Sequence, residues 1–303
     1  MSHFTVLAHL PVSKEEYDEG YLYEVLEPYS ECTENRAYLD FQDKTEEVKE
    51  GWNTTTVKAI RMPDNSCVYA ENRALPKGYV ISDDKIVYEK SGRVTEVCKR
   101  YIIIPECPVN LVYNSLDDFA EGYYGYEKRG ARYGYWCNNN AFYDWFSVGG
   151  RWSGAFLMKD GTWVDIADKK DIQWDEMKRH SRESAMTTFA ELEKIFKTKQ
   201  VPEDAPLVVV KEDGVYSWGS CLYKAGETLD EYFKRKGCDD NTKWATGAYG
   251  IFDKTNGYRS RGEMGWFGIS SGEMSETDWN QIVEKFIDDI PDDEVLIMLD
   301  CHI

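Results

Sequence analysis

Long apolar runs are missing from this chain of 303 residues. Tyr101–Pro105, Leu207–Val210 and Val295–Leu299 are the longest, and each is only four or five residues. A helix across a bilayer needs about 20, so no membrane-spanning helix is expected. The first residues carry no basic stretch and no small-residue cleavage site, so a secretory signal is not expected either. Without one, the eight cysteines (32, 67, 98, 107, 137, 221, 238 and 301) should be reduced thiols. No two of them are spaced C-x-x-C, which removes support for a zinc ribbon or a thioredoxin-type motif. Basic residues are also scarce, with 36 Lys and Arg against 55 Asp and Glu and a net charge of −19. Backbone binding to DNA or RNA requires Lys and Arg to displace counterions, so neither nucleic acid nor an anionic membrane is an expected partner. A soluble protein of the cytoplasm fits these absences.

Aromatic residues are plentiful. Ten Trp and twenty-one Tyr supply apolar surface for a packed core and argue against disorder. Strand patterns open and close the chain, at His3–Leu10 and Val295–Asp300, the latter apolar on both faces as a buried strand requires. Ser13 with Glu16 reads as a capping box for a helix running to Leu26. An acidic helical stretch follows at Phe41–Glu50, and then strands broken by turns. Thr54–Met62 pairs naturally with Cys67–Ala70, and Ile86–Lys90 with Arg93–Ile104. The glycine- and tyrosine-rich span Gly122–Trp136 reads as an ordered aromatic loop. Tyr143–Val148 and Arg151–Met158 read as strands bent at Gly149-Gly150. The longest helix is expected from Gln173 to Lys197, with its apolar positions three or four apart. Thr228 with Glu231 caps a shorter helix, Ala245–Phe252 reads as a strand, and a last helix starts near Ser275. The resulting expectation is a single α+β domain over residues 1–303. Its central antiparallel or mixed sheet is ferredoxin-like and built from the terminal strands, with 54–115 as a β-rich insertion.

Four separated words, in order, carry a resemblance. They are the opening Met1-Ser-His-Phe-Thr-Val-Leu7, the central Tyr143-Asp-Trp-Phe-Ser-Val-Gly-Gly-Arg-Trp-Ser-Gly154, Arg261-Gly-Glu-Met-Gly-Trp-Phe-Gly268, and the closing Asp300-Cys-His-Ile303 with Pro291-Asp-Asp293 ahead of it. With these the chain resembles an uncharacterised family of proteins from tailed bacteriophages and some bacteria. The resemblance runs from first residue to last and is looser over about 57–135. It implies a phage setting, hence a host cytoplasm, and carries no catalytic assignment. Phe146 stands where the family word usually has Tyr, which removes a hydroxyl there.

Three constellations could carry chemistry. Pairing of the terminal strands would bring His3 close to Asp300 and His302, and these last two share a strand face because they are two residues apart. Two imidazoles and a carboxylate suit acid–base catalysis or a divalent metal held by His3, Asp300 and His302. Around Gly149-Gly150, Arg151 offers a planar fork for phosphate, Trp145 and Trp152 offer stacking surfaces, and Asp144 lies beside them. The bland alternative is an Arg151–Asp144 ion pair with both Trp in the core. In the third word, Glu263 is a candidate base and Trp266 a candidate ligand contact. Arg132 belongs to a local basic patch with Lys128 and Arg129. Together these residues suggest a small anionic, nucleotide-derived ligand that is sequestered or hydrolysed. In a phage setting that would counter a host defence signal. The competing expectation is an acidic protein that mimics nucleic acid and blocks a host defence nuclease. A host defence protein and a second copy of the chain are the macromolecular partners these readings would involve.

Overall fold

The computed structural model describes residues 2–82, 84–90, 93–203, 205, 207–217, 220–240, 242–265 and 269–303. The chain forms two compact units, residues 1–34 with 140–303 and residues 35–139.

The mixed α+β architecture rests on the terminal strands, as their sequences suggest. In the first unit, His3–Leu10 and Val295–His302 pair antiparallel along their whole length, from His3 opposite His302 to Leu10 opposite Val295. All eight residues of the last strand are buried. It takes Trp145–Val148 and Ile166–Asp168 as antiparallel partners on its other side. The first strand in turn pairs in parallel with Gly250–Asp253, which makes the sheet mixed, and Gly257–Ser260 closes that edge.

Period-two alternation divides the strand residues between two faces. Phe4, Val6, Ala8 and Leu10 join Val295, Ile297, Leu299 and Cys301 in one apolar layer, covered by the helix Glu19–Leu26 through Leu22, Val25 and Leu26. Leu7, Leu296 and Met298 lie on the other face against Trp279, Val283 and Ile287 of the helix Glu276–Asp289. Each such buried Leu, Ile or Met side chain contributes about 1.5–3 kcal/mol. The same face changes character beyond Leu7, because His3, Thr5, Asp300 and His302 follow on it.

The long helix spans Trp174–Thr198, and its Leu192 packs with Tyr223, Tyr232 and Phe233 in a separate cluster. Thr228 and Glu231 form the anticipated reciprocal cap of the helix Leu229–Arg235. The first helix starts later than Ser13. Ser13 and Glu16 bond each other in an isolated turn, and Asp18 caps the helix by accepting from the Gly20 amide at 3.1 Å. Arg151–Met158 is not one strand. Gly150–Trp152 turns as a 3-10 segment, and Phe156–Leu157 then pairs with Trp163–Val164.

In the second unit, Thr56–Arg61 lies between Cys67–Tyr69 and Ile102–Pro108. The expected pairing of Lys85–Lys90 with Arg93 onward holds over Arg93–Val97, but the run to Ile104 is divided, since Ile102–Pro108 joins Thr56–Arg61. The Gly122–Trp136 segment is more regular than its glycines suggest. Glu127–Arg129 and Arg132–Cys137 form a hairpin that takes Asp40–Asp43 as a third strand. Gly134 sits inside that hairpin because a Cβ there would collide with the Gln42 carbonyl of the neighbouring strand. Glycine here permits close backbone approach and does not mark a loop.

Candidate active site

Strand register assembles two rows of side chains at one end of one sheet face. His302 lies between His3 and Trp145 in the first row, and Asp300 between Thr5 and Ser147 in the second. Side chains directly opposite one another in adjacent strands stand close enough to interact. The His302 ring stacks on Trp145 at 4.9 Å between centroids, with planes 15° apart. The His3 ring meets His302 edge-on at 4.9 Å and Trp145 at 5.2 Å.

Each imidazole is anchored by a carboxylate. Nδ1 of His3 bonds Asp300 Oδ1 at 2.8 Å, and Nδ1 of His302 bonds both oxygens of Asp144, at 2.7 and 2.8 Å. A carboxylate accepts, so Nδ1 of each ring carries the proton and Nε2 presents a lone pair in the neutral form. Both histidine side chains are more than nine-tenths buried. No described residue bonds either Nε2. The second oxygen of Asp300 accepts the Arg151 amide at 2.9 Å, so this buried carboxylate is satisfied on both sides. Thr5 completes its row by donating to the Gly247 carbonyl at 3.1 Å and accepting the Tyr249 amide at 3.1 Å.

The turn after the edge strand is shaped by a residue that the sequence did not single out. Asp165 accepts from Ser153 Oγ and the Gly154 amide at 2.7 Å and from the Ala155 amide at 3.0 Å. Its carboxylate occupies the space where a Cβ on Gly149 would stand, and Asp300 and Ser147 do the same at Gly150. Both glycines have positive φ, 69° and 50°, so the pair is required on steric and conformational grounds alike. The turn presents Arg151 and Trp152 outward. Trp152 is 42% exposed and Trp145 47%. The Arg151 side chain is exposed and makes no ion pair or hydrogen bond with a described residue. Thus Asp144 is committed to His302 and not to Arg151, and neither Trp fills the core.

Other candidates fall elsewhere. His3, Asp300 and His302 meet, but Asp300 spends one oxygen on His3 Nδ1 and the other on the Arg151 amide. Among the described residues no three His, Cys, Asp or Glu side chains converge to hold a metal ion. Among the described residues, then, His3, Asp300 and His302 do not form the ligand set expected for a divalent metal. Glu263 is exposed on the short strand Glu263–Met264 and forms no hydrogen bond or ion pair with the histidines. Trp266 lies outside the described residues. Arg132 belongs to the second unit, where its guanidinium faces Asp43 at 3.8 Å and the Phe41 ring. On the opposite sheet face, burial holds the Cys301 thiol far above its ordinary pKa, so it is an inert packing residue.

Comparison with protein-family models, curated proteins and solved structures found no match to this chain. The kinship with phage proteins stays an expectation, and the site stands on its geometry alone.

Proposed function

We propose that this end of the sheet binds a small phosphate-bearing, nucleotide-derived ligand and hydrolyses it by acid–base catalysis. The observation that supports this most is the pair of carboxylate-anchored histidines, with ring centroids 4.9 Å apart and neither Nε2 engaged by a described residue. In the reaction, one neutral imidazole takes a proton from water as its oxygen bonds phosphorus. The other, protonated, gives a proton to the leaving oxygen as its P–O bond breaks. The two rings end with their protonation states exchanged and return through solvent. Asp300 and Asp144 hold the rings in the required tautomer and favour the imidazolium that forms. Arg151 supplies two parallel donors to phosphate oxygens, and the exposed ring of Trp152 beside it offers a stacking surface for a base.

Titrating nucleoside monophosphates and dinucleotides into the protein by calorimetry tests the binding half. Arg151→Lys keeps the charge but loses the fork, and affinity should fall by about 1–3 kcal/mol with an unchanged melting temperature. Unaltered nucleotide affinity in Arg151→Lys, or a lowered melting temperature alone, would assign Arg151 to structure.

One observation favours the competing reading. The first unit holds 39 acidic and 21 basic residues, a net −18, whereas the second holds 16 and 15, a net −1. So concentrated a charge suits occupation of a basic protein surface. In that case the whole protein should bind a basic partner with a strong salt dependence, and His3→Ala should not matter.

A further inference from the structure

We infer that a cavity adjoining Trp145 is a subsite for an ammonium group, so that the ligand of this site carries a positive centre as well as a phosphate. The inference deepens the reading above by naming the ligand's second group.

The cavity is about 510 Å³ and opens where the edge strand Trp145–Val148 runs beside the first helix and the segment that follows it. Its walls are aromatic. Tyr23 and Phe146 pack with ring centroids 4.7 Å apart and planes tilted by 36°, and Tyr23 and Trp145 each leave about half their surface exposed. Glu24, Glu27, Glu34 and Asp144 line it as well, and among the described residues no Lys or Arg does. Neither Glu24 nor Glu27 pairs with a cation among the described residues. Asp144 meets one partial countercharge, His302.

Aromatic faces attract cations through their quadrupole, and quaternary ammonium groups are recognised by such walls. Carboxylates beside the rings add direct charge attraction that a neutral or anionic group would not receive. An apolar guest would displace water from these carboxylates and offer no countercharge, and a phosphate would be repelled. Trp145 belongs to this wall and also stacks on His302. The subsite and the acid–base pair therefore share a side chain. A phosphate held by Arg151 and an ammonium held here would make the preferred ligand zwitterionic.

The test uses choline and ethanolamine as probes, with 3,3-dimethyl-1-butanol as the uncharged isostere of choline. Binding is read by the Trp145 indole resonance and by calorimetry on the full chain. We expect both cations to shift that resonance and the isostere to bind at least tenfold more weakly. The double variant Glu24→Gln, Glu27→Gln should lose cation affinity about tenfold while keeping its melting temperature. Equal affinity for the isostere, an unmoved Trp145 resonance, or full cation binding by the double variant would overturn the inference. His3 does not line the cavity, so His3→Ala separates the two readings. Choline binding in a protein that never hydrolyses a phosphodiester upholds the subsite and counts against catalysis alone. Hydrolysis by a protein that ignores choline overturns the subsite and leaves the acid–base reading intact.

Discussion

Tyr143 shows how a single side chain ties the site to stability. It stands next to Asp144, is 5% exposed, and donates its hydroxyl to the Leu26 carbonyl at 3.1 Å. Burial disfavours the phenolate and pushes its pKa up from 10.0 to about 12. The folded state therefore holds its proton more tightly than the unfolded one. This contribution is complete below pH 10 and is lost as pH rises from about 10 to about 12. Removing the hydroxyl should flatten the alkaline limb of the stability curve, by on the order of 2–3 kcal/mol between those limits. Denaturant melts of Tyr143→Phe and the parent from pH 8 to 12 would check this, with parallel curves as the contrary result. At this same scale the sequence was informative about identities and silent about pairings. The histidines at the chain ends and the Gly149-Gly150 turn are visible as words. That Asp144 serves His302, 158 residues away, depends on which strand lies next to the last one. Asp165 offered no signal, since nothing in its neighbours separates a turn-forming carboxylate from a solvated one.

Among the elements, the last strand carries most of the fold and all of the site's register. Its apolar pattern on both faces announced burial, and the strand-helix and helix-strand order of the two chain ends suggested pairing with the first strand. Elements with strong local signals were likewise legible: the long helix, the Thr228 cap and the hairpin at Cys67–Tyr69. Misreadings came where local chemistry competes with tertiary contact. Ser13 has the residues of a cap but no helix behind it, because Asp18 supplies the better-placed acceptor. Gly134 looked like a loop residue until its strand neighbour required the space. The parallel partner Gly250–Asp253 could not be read at all, since nothing in a strand's sequence names a neighbour some 240 residues away. Deleting Asp300–Ile303 would remove partners of His3, Phe4 and Thr5 on one side and of Trp145, Phe146 and Ser147 on the other. Loss of buried apolar and ladder contacts on this scale is comparable with the roughly 5–15 kcal/mol by which domains are stable. The truncated protein should therefore lose its cooperative thermal transition. A truncation that melts like the full chain would show that the shared sheet is not the organising core.

For the molecule as a whole, the unequal division of charge limits what the site can accept. With −18 on the unit that holds the histidines, a polyanion would be repelled well before Arg151 could bind it, most of all at low salt. A diester with one negative charge, or a phosphate balanced by an ammonium, meets far less opposition. The same field would attract a basic protein, so charge alone does not separate an enzyme from an inhibitor. A neighbouring pair of carboxylate-anchored imidazoles is what the proposed acid–base catalysis requires, and a charge-mimicking surface does not require it. The decisive measurement is phosphorus NMR of a panel of nucleotide phosphodiesters, incubated from pH 5 to 9 with the parent, His3→Ala and His302→Ala proteins. We expect hydrolysis by the parent with a rate that falls on both sides of an optimum, because one imidazole must be neutral and its neighbour protonated. Each alanine variant should lose at least a hundredfold while retaining nucleotide binding. Turnover that survives in both variants, or a parent protein that hydrolyses nothing in the panel, would contradict the acid–base role of His3 and His302.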